Sequence, residues 1–260
     1  MTDCLSKLPE QQVAGWYRRL ADRIALEKVG GEEPLASRFL RFWLDNRDSN
    51  AVYRFTAPAH LQTSSYVTST LQFHRAVFLT EKKARFTGRD SSWAGIVPRL
   101  QGRSPYTTWD VSRPLEMNYE CLVEVGDGLF DLVRIQQQGT AEERDLLTAL
   151  RGFQLGSRVN VTGVRQGTKV QIQFSSWVVW ARDRYDWDYS EHFTVPNPDY
   201  KSKRADAVRP GDQMLTVYHR NAERLEKANL AAPFNVLTND WPGSASLKGP
   251  AVVDSQKRLD

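Results

Sequence analysis

The densest run of side chains able to do chemistry is Arg182-Asp183-Arg184-Tyr185-Asp186-Trp187-Asp188-Tyr189-Ser190-Glu191-His192. Carboxylates at Asp183, Asp186 and Asp188 are hard oxygen donors of the kind that hold a divalent cation. The run lacks the sixth-position glycine and twelfth-position glutamate of an EF-hand loop. Its structural alternative is an arginine- and aspartate-laced loop leaving a strand, with Tyr185 and Trp187 packed beneath it. A second constellation is Asp199-Tyr200, Asp212 and Tyr218-His219-Arg220-Asn221. A carboxylate beside a histidine makes a general-base pair, and an arginine next to it can hold an anion. A hydrolytic site would therefore draw on Asp186, Asp188, His192 and His219. The remaining histidines are His60 and His74, and no two of the four are spaced as metal ligands on one element. His74, between Phe73 and Arg75, reads as a satisfied residue of an apolar strand.

The motifs that would specify better-known chemistries are missing. The chain contains no G-x-G-x-x-G, no G-x-x-x-x-G-K-S/T, no G-x-S-x-G and no H-E-x-x-H. Dinucleotide-dependent dehydrogenases, P-loop NTPases, α/β-hydrolases and zincins are excluded to that extent. No cofactor and no metal centre is implied. Cys4 and Cys121 are too far apart in sequence for a zinc or redox motif.

Tryptophan and arginine are the other chemically distinctive residues. There are 8 tryptophans, and Trp93, Trp109, Trp177, Trp180, Trp187 and Trp241 lie beyond the opening helices. An exposed indole beside a guanidinium suits a protein–protein hot spot or stacking on a planar group. Trp177 and Trp180 are three apart in a strand pattern and so face opposite sides, one of them buried. The binding candidates are Trp93, Trp109, Trp177, Trp180, Arg182, Arg184, Tyr185 and Trp187. The net charge of +4 is thin. Residues 1–110 hold 16 basic and 11 acidic groups, and no run of five like charges occurs. Nucleic acid is therefore not indicated as a partner.

These residues need elements to place them. Val13, Trp16, Tyr17, Leu20 and Ile24 recur at helical spacing after Pro9, and Gly30-Gly31 closes that segment. A second helix starts at Pro34 with Leu35, Phe39, Phe42 and Trp43 on one stripe. Val52–Phe55 and Tyr66–Leu79, rich in β-branched and aromatic residues, read as strands. Residues 121–135 read as a hairpin around Gly126-Asp127-Gly128. Thr140 to Glu143 is a capping box opening a short helix. The clearest hairpin joins Val159 and Val161 to Val170, Ile172 and Phe174 across Arg165-Gln166-Gly167-Thr168, and runs on to Trp180. Leu215–Tyr218 and Phe234–Leu237 read as further strands, with Asn221 capping a helix between them.

Helices first, then strands without βαβ alternation, make an α+β fold in which N-terminal helices pack on a mainly antiparallel sheet or open barrel. One domain over 1–241 is expected, with a helical part at 1–46, a mainly β part at 52–180 and a loop-rich closing part at 181–241. Residues 242–260, poor in large apolar groups, read as a flexible tail. The mean hydropathy is -0.53 and no stretch is long and apolar enough for a membrane span. The N-terminus has no signal-peptide pattern, so synthesis in the cytoplasm is expected.

Three of these segments together, with one closing strand, form a recognisable pattern. Arg182-Asp183-Arg184-Tyr185-Asp186-Trp187, Val195-Pro196-Asn197-Pro198-Asp199-Tyr200, Val217-Tyr218-His219-Arg220-Asn221 and Phe234-Asn235-Val236 resemble an uncharacterised proteobacterial domain family often encoded near type VI secretion or polymorphic-toxin genes. The resemblance covers the last third of the chain. It implies a bacterial setting and a protein partner such as a secretion-apparatus component, an adaptor or an immunity protein. Export by a system that reads no signal peptide is compatible with it. Two functional expectations follow. One is a non-catalytic binding protein using an aromatic- and arginine-rich surface. The alternative is an antibacterial effector with hydrolase activity at Asp186, Asp188, His192 and His219.

Overall fold

A computed structural model of the chain describes residues 3–80, 108–110, 115–122, 138–166, 169–187, 192–248 and 251–254. The elements run α1 (Glu10–Ala25), α2 (Leu35–Asp45), β1 (Val52–Phe55), α3 (Ala59–Gln62), α4 (Ser65–Thr80), β2 (Thr108–Asp110), β3 (Leu115–Leu122) and α5 (Ala141–Ala149). They continue with β4 (Gly152–Gln166), β5 (Lys169–Tyr185), β6 (His192–Pro196), β7 (Met214–Tyr218), α6 (Arg220–Lys227), β8 (Phe234–Thr238), β9 (Trp241–Pro242), α7 (Ala245–Lys248) and β10 (Ala251–Asp254). The fold is α+β with N-terminal helices and a mainly antiparallel sheet. Two compact units are interleaved along it: Met1–Arg54 with Val123–Gly152 and Asp183–Leu237, and Phe55–Leu122 with Phe153–Arg182 and Thr238–Asp260. The boundaries at Arg54 and Arg182 fall beside the changes of character seen in the sequence. The helical start and the closing segment nevertheless share one unit.

In the first unit α1 buries Val13, Trp16, Tyr17 and Leu20, the stripe that its periodicity marks. Helix α2 buries Phe39 and Trp43, and Phe42 and Phe39 meet Tyr53 of β1 and Phe234 of β8 edge to face. Pro34, at the N-cap of α2, has no side-chain donor or acceptor to offer. Asp145 of α5 replaces it: its carboxylate accepts from Leu35 N and Ala36 N, both at 2.9 Å. The capping box of α5 is present as read, Thr140 Oγ1 accepting from Glu143 N and Glu143 from Thr140 N. Strands β6 and β7 form an antiparallel ribbon with His192 opposite Tyr218.

The second unit is built on the β4–β5 pair, antiparallel from Gln154↔Arg182 to Gln166↔Lys169 with a bulge at Asn160/Val161. This is the hairpin expected from sequence. Strand β2 pairs with β4, while β9 and β10 pair with β5. Leu155, Val159, Val161, Phe174, Trp177 and Val179 are buried on one face, and the other face keeps the polar side chains.

Two expectations are corrected. Tyr66–Leu79 is not a strand: residues 65–80 form helix α4. Its buried positions, Val67, Leu71, His74 and Phe78, are spaced i, i+4, i+7 and i+11. The buried histidine interrupts the apolar stripe, and β-branched neighbours supply a false strand signal. Nor are residues 242–254 a loose tail. Gly243 N donates to Trp177 O at 2.9 Å, Leu247 is buried, and Ala251–Asp254 pair with Ile172–Lys169. The second arm of the expected 121–135 hairpin lies outside the described residues, although β3 includes Cys121 and Leu122. Asn221 is not an N-cap. His219 takes that position, and Asn221 is buried inside α6.

Candidate functional site

The carboxy-terminal motifs are wired into the first unit as load bearers. Asn197 is buried, and its Oδ1 accepts from Asp199 N. Its Nδ2 donates to Val208 O, Arg209 O and Asp212 O. Asp199, also buried, takes a two-point bond from Arg19 at 2.7 and 3.0 Å and accepts from Val208 N. A bidentate guanidinium–carboxylate pair fixes orientation as well as distance. Asn221 and Arg220 both donate to Asp3, whose side chain is only 3% exposed. Arg224 donates to the carbonyls of Leu5, Ser6 and Leu8 and to Glu10. These bonds hold two segments, residues 3–12 and 205–209, as the walls of a groove of about 420 Å³.

The residues expected to be catalytic do not converge. His192 stacks on Tyr218 at 5.5 Å, whereas His219 sits between Trp187 and Phe193 at 5.1 and 5.2 Å. Phe193 follows His192 in β6, so the two imidazoles lie on opposite faces of the ribbon. Asp186 is exposed and faces Arg184 at 3.6 Å. Asp188 is outside the described residues. Among the described residues no group of three or more His, Cys, Asp or Glu could hold a metal ion.

Asp183 differs from its neighbours. It shares the inward side of β5 with Tyr185, and Arg182, Arg184 and Asp186 alternate outward. Burial, against a backbone hydrogen bond at Arg184 and with the repulsion of Asp186, pushes its carboxyl up to about 7. Tyr185 stacks on Phe234 at 5.0 Å, and its burial pushes the phenol upward. Trp187 packs on Trp43 at 5.2 Å. Both are half-buried and engaged in the aromatic cluster of the first unit.

In the second unit the two strand tryptophans separate as their spacing requires. Trp177 is 1% exposed, packs on Phe78 and Phe174, and donates from Nε1 to Ser157 Oγ. That removes it from the binding candidates. Trp180 lies half-buried on the opposite face, flat over Gly156. A Cβ at Gly156 would stand 2.1 Å from its Cε2. Arg158 places its guanidinium 5.2 Å from the Trp180 ring. Next along this face Arg182 donates twice to Gln154 Oε1, at 3.1 and 2.7 Å. Of the binding candidates, then, Trp180 and Arg182 are brought together. Arg184 is outward but in the first unit, and Trp93 lies outside the described residues. Trp109 is in β2, its backbone opposite Gly163.

Sequence reasoning missed Arg158, Gly156 and Asp3. Arg158 and Gly156 alternate with the buried Leu155, Ser157 and Val159, so the register of the hairpin carried the signal. Asp3 carried none, because its partners are some 217 positions away. No family model, curated protein or solved structure matches the chain.

Proposed function

We propose that this chain is a non-catalytic binding protein that takes a protein partner on the outer face of the β4–β5 pair. One observation carries the reading: Trp180 is laid on a glycine that only it can share, with Arg158 over its ring and Arg182 beside it. A rigid, half-buried indole next to guanidinium groups is the composition of an interface hot spot. The register of a two-stranded pair holds all three side chains on one face, so little ordering remains to be done on binding. Following the resemblance, the partner is a component of a bacterial secretion or toxin system, encoded near this protein.

The test is direct binding of the purified chain to the products of its neighbouring genes. Trp180→Ala and Arg158→Ala should each weaken the complex by about 30-fold, on the order of 2 kcal/mol, with an unchanged circular dichroism spectrum. If no neighbour binds, or if both variants bind as wild type does, the reading fails. Growth arrest on expression in a bacterial host, relieved by His219→Ala, would replace it with the hydrolase alternative.

A further inference from the structure

The groove in the first unit shares no residue with the β4–β5 face and has its own chemistry. Asp3, Cys4, Lys7, Leu8 and Gln12 form one wall, and Ala205 to Arg209 the other. Four of these side chains are charged. Asp3 is already answered by Arg220 at 3.0 Å and by Asn221. Asp206 is held by Arg204 at 3.0 and 3.1 Å and by Arg19 at 3.6 Å. The two cations are differently placed. Lys7 is exposed, and Arg209 faces Asp212 only across 3.8 Å, both partners about half exposed. An ion pair of that length and exposure neutralises little. The four charges of the lining sum to zero, but the two acids are the more tightly paired, so an incoming anion meets Lys7 and Arg209 as the less engaged charges, beside the apolar surface of Leu8, Ala205, Ala207 and Val208.

Its shape is preorganised. Arg209 sits at φ 46, a left-handed conformation unusual for a side-chain-bearing residue, and Asn197 holds it there through its carbonyl at 2.7 Å. The opposite wall is pinned by three carbonyl bonds from Arg224. A volume of about 420 Å³ suits a small organic molecule. Asp3 and Asp206 still line the groove, which disfavours a dianion such as phosphate relative to a single carboxylate.

We propose that this groove binds an organic carboxylate with a short aliphatic body, the carboxylate between Lys7 and Arg209 and the aliphatic part on Leu8 and Val208. A free amino-acid derivative and the C-terminal residue of a peptide both present that chemistry. Gln12 can serve the adjoining amide in either.

Cys4 reports occupancy, because its half-buried thiol lines the same groove. Iodoacetamide alkylation of the full chain, read at Cys4 by peptide mass spectrometry, is followed with N-acetyl-leucine, its C-terminal amide, an acetylated tetrapeptide ending in leucine, and inorganic phosphate. Saturating carboxylate should slow Cys4 alkylation at least about tenfold, as filling nine-tenths of the sites requires. The amide should not. The double variant Lys7→Ala/Arg209→Ala, altered only at exposed positions, should lose this protection. Stronger protection by the tetrapeptide than by N-acetyl-leucine would assign the ligand as a peptide terminus, and the reverse as a free acid. Equal protection by acid and amide, protection by phosphate alone, no protection at millimolar ligand, or full protection in the double variant would each overturn the proposal.

Discussion

His74 is fully buried on α4, and its Nδ1 lies 2.8 Å from the Ser157 oxygen that also accepts from Trp177. Burial lowers its pKa from 6.5 to about 4, so the fold holds the neutral ring. The unfolded chain takes up a proton below about pH 6.5 and the native chain does not until about pH 4. Stability from this group is thus lost as pH falls through that window, by on the order of 3 kcal/mol. Asp183 works the other way. Its native carboxyl keeps a proton to about pH 7 while the unfolded one releases it near 3.8, so stability falls as pH rises between those values. The two effects oppose each other, and the variants separate them. Measured by urea midpoint, Asp183→Asn should gain on wild type steadily from pH 4 to pH 7. His74→Gln should fall further behind wild type as pH rises from 4 to 6.5. Parallel curves in either case would show that the group titrates normally in the fold.

At the scale of elements, the termini of helices are where distant sequence is joined. Thr140 and Glu143 are three residues apart, so the cap of α5 could be read directly. The cap of α2 could not, because its acceptor is Asp145, 110 positions away from Leu35. Removing Thr140's oxygen by Thr140→Ala costs the exposed end of one helix, about 1 kcal/mol. Asp145→Ala strips two buried amides of the carboxylate that accepts from them and should cost more, about 2–4 kcal/mol. Chemical denaturation of both variants ranks the two costs, and the reverse order would mean that α2 starts independently of α5. The same contrast explains α4. Its stripe was legible only to a reader who admitted histidine as a core residue, and that depends on Ser157 in a distant strand.

For the whole molecule, what could be read was whatever the chain repeats locally: the stripes of α1 and α2, the alternation of β4 and β5, and the opposite faces of Trp177 and Trp180. The groove is not legible, although Asn197, Asp199 and Asn221 all stand in segments that carry the resemblance. Their partners, Val208, Arg19 and Asp3, carry no periodic signal. The end of the chain shows the same limit with the largest consequence. Residues 243–254 look like a tail because small and polar residues dominate them, yet small size is what their position demands. Gly243 passes so close to Trp177 that a Cβ there would stand 2.8 Å from the indole ring, and its amide bonds Trp177 O. Arg75 of α4 donates to Leu247 O, and β10 then pairs with the start of β5. Truncation after Pro242 would remove that cover, leave Lys169–Ile172 of β5 paired on the β4 side only and expose Trp177. A loss of at least about 3 kcal/mol is expected, given what uncovering large apolar side chains costs, with a red-shifted tryptophan emission and a poorer soluble yield. A truncated chain that unfolds at the wild-type urea concentration, with unshifted emission, would instead make residues 243–260 dispensable to the second unit.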